Sequence, residues 1–245
     1  MSAHARRSGA AATRAVKPAE CLQCEIRHLA LCSAVDDPDV QRLQALVTHV
    51  WFYGGQTIST EGDPSEHVYN VASGTLRLYK LLPDGRRQVT GFLYPGDFLG
   101  LASIGTYAYS AEAVGAVHLC RFRSRDFKNL CDELPKMNSR LLEIANDELA
   151  AAQEQMLLLG RKTAVERIAS FFLHLADQNV KLKRSPVVID LPMRRGDIAD
   201  YLGLTIETVS RTLRRLKSDG VIALPESNRV VLSDADRLRE LAEEG

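Results

Sequence analysis

The sequence predicts an α+β chain made of three successive blocks: a β jelly roll, one long helix and a winged helix-turn-helix. Three observations predict it. Between Val50 and Phe122, short strand-like runs end repeatedly at Gly, Pro and Asp, as in an antiparallel barrel or jelly roll. From Asn138 to Leu159, apolar side chains recur at alternating steps of three and four. Beyond residue 161, two helical segments flank a turn at Gly203 and are followed by a strand-turn-strand. The implied boundaries are an arm over 1–19, an arm plus barrel over 20–137, a dimerisation helix over 138–160 and a winged helix-turn-helix over 161–245.

With 245 residues the chain is long enough for two cores. Acids and bases balance at 31 each, so the whole does not advertise nucleic-acid binding. The charge is uneven, however: from Lys181 to Lys217, nine bases face four acids, which polarises that segment toward an anionic partner. No apolar run approaches the roughly 18 to 20 residues of a membrane helix, so a soluble, cytoplasmic protein with no membrane partner is expected. Residues 1–19 carry four bases, no acid and no continuous apolar stretch, and so do not form a secretory signal. They read as a disordered Ala-rich arm, with an organellar transit peptide as the other possibility.

Five cysteines is an odd number, and their spacing is not that of a disulfide-stapled fold. Cys21, Cys24 and Cys32 lie within twelve residues. Thiolates this close converge on a soft metal centre, zinc or iron-sulfur, and either needs a fourth ligand. Leu22, Ile26, Leu29 and Leu31 stand beside them to wall off such a centre. The arm is too polar to order alone, so metal assembly is expected to order it.

In the barrel, strands are read over Trp51 to Tyr53, His67 to Val71, Thr75 to Lys80, Gln88 to Leu93 and Ala116 to Phe122. In the last, Cys120 alternates with Val117 and Leu119, so it faces away from their packing and is free to meet the arm. Cys131 competes for the fourth place. It shares one helical face with Phe127, Leu130 and Leu134, which reads as core, and Cys120 is the ligand expected. His67 and His118 read as structural.

Leu142, Ala145, Leu149, Ala152, Met156 and Leu159 form an uncharged stripe suited to a two-helix seam, and Gly160 is read as its end. A new helix over Arg161 to Gln178 has Val165, Ile168, Phe172 and Leu175 inside, and Pro186 to Leu191 is a short strand. Arg194 to Leu202 and about Thr205 to Asp219 are the paired helices; Val221 to Leu232 is the wing. In the second helix Ile206, Val209, Leu213 and Leu216 face inward. Glu207, Ser210, Arg211 and Arg214 share the opposite stripe, where side chains reach base edges. Arg can clamp guanine and Glu can accept from cytosine, while Thr205, Thr208, Arg215 and Lys217 are placed for phosphates. The other account of that stripe, an ion-paired solvated face, is worth only a few tenths of a kcal/mol and does not explain the basic surplus.

The order of barrel, long helix and winged helix-turn-helix resembles the cyclic AMP receptor protein superfamily. The arm with Cys21, Cys24, Cys32 and Cys120, and the string Glu207-Thr208-Val209-Ser210-Arg211, resemble its fumarate and nitrate reductase regulator (FNR) branch. The resemblance covers nearly everything after residue 20. It implies a jelly roll of the cyclic-nucleotide-binding kind and an oxygen-labile 4Fe-4S cluster on those four cysteines. It further implies a homodimer on two-fold TTGAT sites in double-stranded DNA, activating or repressing anaerobic genes, with Glu207, Ser210 and Arg211 as base readers. RNA polymerase is then a partner, and the exposed turn Leu82 to Arg86 is a candidate contact.

One departure is the seven residues between Cys24 and Cys32, more than in the best-known member. Cyclic nucleotide is not an expected ligand: Gly96-Asp97 is followed by Tyr109-Ser110-Ala111, with no Arg to clamp a phosphate. The competing expectation keeps the DNA-binding half and makes the signal zinc, thiol redox state or a small ligand. No phosphate loop, nucleophile motif or grouped acid-base pair suggests an enzyme.

Overall fold

The computed structural model describes residues 21–101 and 105–243. The expected 1–19 arm lies outside them. The chain forms two compact units, one holding residues up to Leu78 with Phe92–Asn138, the other Tyr79–Gly91 with Ser139–Gly245.

In the first unit, two short 3-10 turns, Cys21–Gln23 and Leu31–Ala34, carry the arm into α1 (Asp37–Leu46). Strands β1 (Thr48–Phe52), β2 (Thr57–Ser59), β3 (His67–Ser73), β4 (Leu76–Leu81), β5 (Arg87–Leu93), β6 (Phe98–Leu99), β7 (Ser110–Ala113) and β8 (Val117–Arg123) follow. They form two four-stranded sheets, ordered β1-β8-β3-β6 and β2-β7-β4-β5, the jelly roll that the turn spacing predicts. Val50, Val71, Leu76, Leu99 and Leu119 fill the core between them. Helix α2 (Ser124–Glu133) packs Phe127 on Phe98 and Phe122, and its Cys131 is buried core, as read. The tip of the β4–β5 hairpin belongs to the second unit.

Helix α3 spans Pro135–Arg161, longer at both ends than the 138–160 block. Pro135 opens it, where the missing N–H costs nothing. Gly160 does not break it: a lone helical glycine costs only about 1 kcal/mol, too little to stop a 27-residue helix. The break comes instead at Thr163, which caps α4 (Ala164–Lys181) through a reciprocal capping box with Glu166.

Ile168, Phe172 and Leu175 line the inner face of α4, while Val165 is only half-buried. Next come β9 (Val188–Asp190), α5 (Arg195–Leu202) and α6 (Ile206–Ser218), with Gly203 between the helices at φ 61°, the left-handed residue that the turn requires. Strands β10 (Ile222–Glu226) and β11 (Arg229–Leu232) make the wing, and β9 pairs with β11 as a third strand. A closing helix α7 (Ala235–Glu243), not foreseen in the sequence, buries Leu238 and Ala242. Among the described residues no helix is long and apolar enough to cross a membrane.

Candidate functional site

Local turns on one side and strand register on the other place the arm thiols and Cys120 within electrostatic range of one another. Arg27 donates to the Val35 carbonyl and the Asp37 carboxylate, both at 2.9 Å, which folds the arm back on itself. Ala30, Leu31 and Val35 are buried, so apolar packing helps to order a segment that the sequence reading left to metal alone. Of the expected apolar wall, Leu31 is buried, Ile26 and Leu29 are half-buried, and Leu22 is exposed.

On the barrel, β8 sets Cys120 opposite His49 of β1 and Asn70 of β3. Burial pushes the Cys120 thiol up to about 12, and the nearby thiols of Cys24, Cys21 and Cys32 push the same way. Burial likewise raises Cys32 to about 12, with Cys24 and Cys21 adding to it. Cys21 is raised by burial and by Cys24, with Arg27 opposing. The ionised forms of Cys21, Cys32 and Cys120 are therefore disfavoured until a cation offsets them. Cys131 is raised to about 11 by its own burial and by Asp132, and none of the other four thiols contributes. Among the described residues, no three His, Cys, Asp or Glu are gathered as tightly as a single metal ion needs.

Beside Cys120 lies an aromatic group that the sequence reading missed. His118 stacks on Trp51 at 4.5 Å with the rings 1° from parallel, and its Nε2 stands 2.8 Å from His49 Nδ1. His49 Nδ1 is in turn 4.0 Å from Cys120 Sγ. Burial pushes His118 down to about 4, with His49 pushing the same way. The alternation of His49 and Trp51 was visible in the sequence, but their meeting with β8 needed the register.

At the position of the nucleotide clamp, the Ser110 hydroxyl accepts the Glu61 N–H at 3.0 Å, and residue 109 is Tyr.

Helix α6 presents the expected stripe. Glu207, Arg211 and Arg214 are exposed and Ser210 is half-buried, while Val209, Leu213 and Leu216 anchor the helix. Ile206 departs from the expectation: it is 51% exposed, although its Cδ1 lies within 3.7 Å of where a Cβ on Gly196 of α5 would stand. Thr205 caps α6, its hydroxyl accepting the Thr208 N–H at 3.2 Å and lying 3.1 Å from the Thr208 hydroxyl. Both threonines thus sit at the helix N-terminus, where N–H groups favour an anion. Arg195 donates to Ser210 Oγ at 3.3 Å, an α5 side chain beside the stripe that periodicity did not single out.

Along α3, Leu142, Leu149 and Met156 are 63%, 59% and 64% exposed, Ala152 is exposed and Ala145 half-buried. An apolar stripe of this kind left on the surface of one chain is suited to a second. Leu159 belongs only partly to it, since its side chain packs by Gly203 of the same chain.

Residues 166–241 match the Crp-like helix-turn-helix domain family, and residues 49–133 the cyclic nucleotide-binding domain family. The chain is 44% identical over 222 residues to the nitrogen fixation regulation protein FixK of Bradyrhizobium diazoefficiens, covering 91% of this chain and 93% of that one. It is 43% identical to the transcriptional activator protein FnrL of Cereibacter sphaeroides, with 91% of each chain covered. The solved structure of FixK2 from Bradyrhizobium japonicum superposes with a TM-score of 0.75 at 37% identity, covering 80% of this chain and 96% of that one.

Proposed function

Because the chain belongs to the CRP/FNR family of DNA-binding transcription regulators, we propose that it is the oxygen-responsive kind, with a 4Fe-4S cluster held by Cys21, Cys24, Cys32 and Cys120. The observation that carries this reading is the field shared by Cys120 and the three arm thiols, from which Cys131 is absent. Four soft donors within electrostatic range of one another are the kind of ligand set that a four-iron core takes. When bound, such a cluster supplies a centre that dioxygen dismantles.

The remaining steps belong to the chain's own residues. Thiols that repel one another's ionised form favour an arm held closed only when they are charge-compensated. The arm leads to Asp36, which pairs with Lys136 at the head of α3 at 2.6 Å. That pair is exposed and worth little alone, but it puts the arm's end against the helix whose stripe makes the dimer. Two chains joined along the stripe offer two copies of Glu207, Ser210 and Arg211 to two-fold TTGAT-type half-sites about one turn apart. The engaged Ser110 hydroxyl and the Tyr at 109 argue against a cyclic nucleotide in the barrel. The exposed turn Leu82 to Arg86 is offered to RNA polymerase.

The test is anaerobic purification followed by iron, sulfide and DNA-affinity measurement. A brown protein with about four irons and four sulfides, whose affinity for paired half-sites collapses in air, is the expected result. Iron-free protein that still binds paired half-sites tightly would overturn the reading, and a colourless zinc-loaded protein would assign the thiols to zinc.

A further inference from the structure

A helix leaves its last four carbonyls without intrahelical donors. In α5 one of the four is met by the turn itself, the Ala199 carbonyl accepting the Gly203 and Leu204 N–H groups. The other three are met by side chains from three different elements of the same compact unit. Gln88 of β5 donates to the Asp200 carbonyl at 2.6 Å. Gln155 of α3 donates to the Tyr201 carbonyl at 2.9 Å. Arg167 of α4 donates to the Leu202 carbonyl at 2.8 Å and also to the Leu159 and Lys162 carbonyls.

Arg87, next to Gln88, pairs with Asp197 and Asp200 of the same helix at 2.8 and 2.7 Å. Gln155 adjoins Met156 of the seam stripe. One helix end therefore receives the hairpin tip, the dimerisation helix and the brace of the helix-turn-helix, and α5 is the helix on which the reading helix α6 is packed.

We infer that Gln88 and Gln155 are positioning residues for DNA recognition: they hold the helix-turn-helix of each chain in one pose relative to the seam helix, and so set the distance between the two reading helices of a dimer. Among the described hydrogen bonds, neither reaches the α6 reading stripe. Arg167 ties the α3–α4 junction to the turn inside the DNA-binding segment, whereas the two glutamines reach α5 from outside it. Each is uncharged, so its removal strands no buried ion. What is lost is the fixed separation of the reading helices, on which recognition of paired half-sites depends. The inference rests on the family's DNA binding and not on the cluster.

The test compares the full-length chain with the double variant Gln88→Leu/Gln155→Leu, at concentrations where sedimentation shows two-chain species for both. The probes are duplexes with paired half-sites at the optimal spacing, the same half-sites moved one base pair closer or further apart, and a single half-site. Two neutral hydrogen bonds together give an expected loss of about tenfold in affinity for the optimally spaced duplex. Affinity for the single half-site is expected to stay within about twofold, and the preference for one spacing to flatten. The variant Gln88→Lys/Gln155→Lys, which keeps a donor at each carbonyl, is expected to restore the spacing preference.

Equal losses on paired and single half-sites would show a merely structural role and overturn the inference. So would an unchanged spacing preference in the Leu variant. If the Leu variant does not fold, Gln155→Glu, which presents a carboxylate to the Tyr201 carbonyl, is compared with Gln155→Lys on the same probes. Equal spacing preference in those two overturns the inference as well. Loss of cluster binding with the spacing behaviour intact would sink the cluster proposal and leave this one standing.

Discussion

Leu29 of the thiol-bearing arm lies directly over Gly96, so close that a methyl group on residue 96 would stand 2.7 Å from the Leu29 Cβ. Gly96 also sits at φ 102°, which L side chains rarely adopt. The arm therefore rests on the barrel where the barrel has no side chain. Gly96→Ala should cost on the order of 1 to 3 kcal/mol in strain and push the arm away. Reconstituted Gly96→Ala is expected to hold substantially less iron than the parent. Adding Leu29→Gly should recover part of it, because that change removes the clashing Cβ and leaves the backbone strain. Iron content of the two variants, measured side by side, checks this; equal loss in both would mean that the contact does not matter.

Cys120 and Cys131 are separated by what surrounds them. Three thiols lie within electrostatic range of Cys120, whereas Cys131 is packed in α2 beside Phe127 and Leu130. Cys120→Ala should abolish iron and sulfide retention while the barrel still melts cooperatively. Cys131→Ala should keep the iron and lower stability by roughly 1 kcal/mol for the lost buried volume. Metal analysis and thermal unfolding of the two proteins settle the assignment, and the reverse pattern would hand the fourth place to Cys131.

Much of this was legible in the chain because the signals are local. The turn residues at Gly54-Gly55, Pro83-Asp84-Gly85 and Pro95-Gly96 predicted the strand ends, and Gly203 predicted the helix turn. Alternation gave the face of Cys120. It could not say that His49 and Asn70 would flank that residue, since register across sheets is a tertiary fact. Helix α7 escaped because it is short and mostly charged, with Leu238 and Ala242 as its buried contacts. Ile206 was misread because periodicity gives the face a residue lies on and not how far its neighbours cover it: it touches α5 near Gly196 and is still half exposed. Gln88 and Gln155 carried no pattern at all: their partners are backbone carbonyls 112 and 46 positions away.

The exposed Leu149 and Met156 should be silent in a lone chain and decisive in a pair. Leu149→Glu places like charges across a two-fold seam and removes an apolar contact from each side. Secondary structure and melting of the single chain should change little. The dimer dissociation constant should rise by more than tenfold, since one seam leucine is worth about 1.5 to 3 kcal/mol per chain when buried. Analytical ultracentrifugation gives the answer directly; an undiminished dimer would move the interface elsewhere.

Burial holds His67 below its ordinary 6.5, with Arg121 and Arg123 adding to the shift and Glu66 opposing it. The folded form thus keeps this imidazole neutral, while the unfolded chain takes up its proton first as the pH falls below 6.5. The stability it contributes is present above 6.5 and is lost as the pH falls through the lower, folded value. Denaturant unfolding of His67→Gln from pH 7.5 downward should show a shallower decline than the parent. An identical slope would mean that His67 titrates alike in both states.

Arg211 and Lys217 lie on one helix but should fail differently. Arg211 is exposed within the reading stripe, two turns from the N-cap Thr205, where a guanidinium can take both acceptors of a guanine. Lys217 is exposed in the last turn of α6 and is placed to meet a phosphate. Arg211→Ala should cost about 1 to 3 kcal/mol on the preferred site and almost nothing on a site whose guanine is replaced. Lys217→Ala should weaken both sites alike and reduce the salt dependence of binding by roughly one unit of slope. Titrating each variant against the two duplexes at several salt concentrations separates the roles, because a phosphate contact loses affinity without losing discrimination and a base contact loses both.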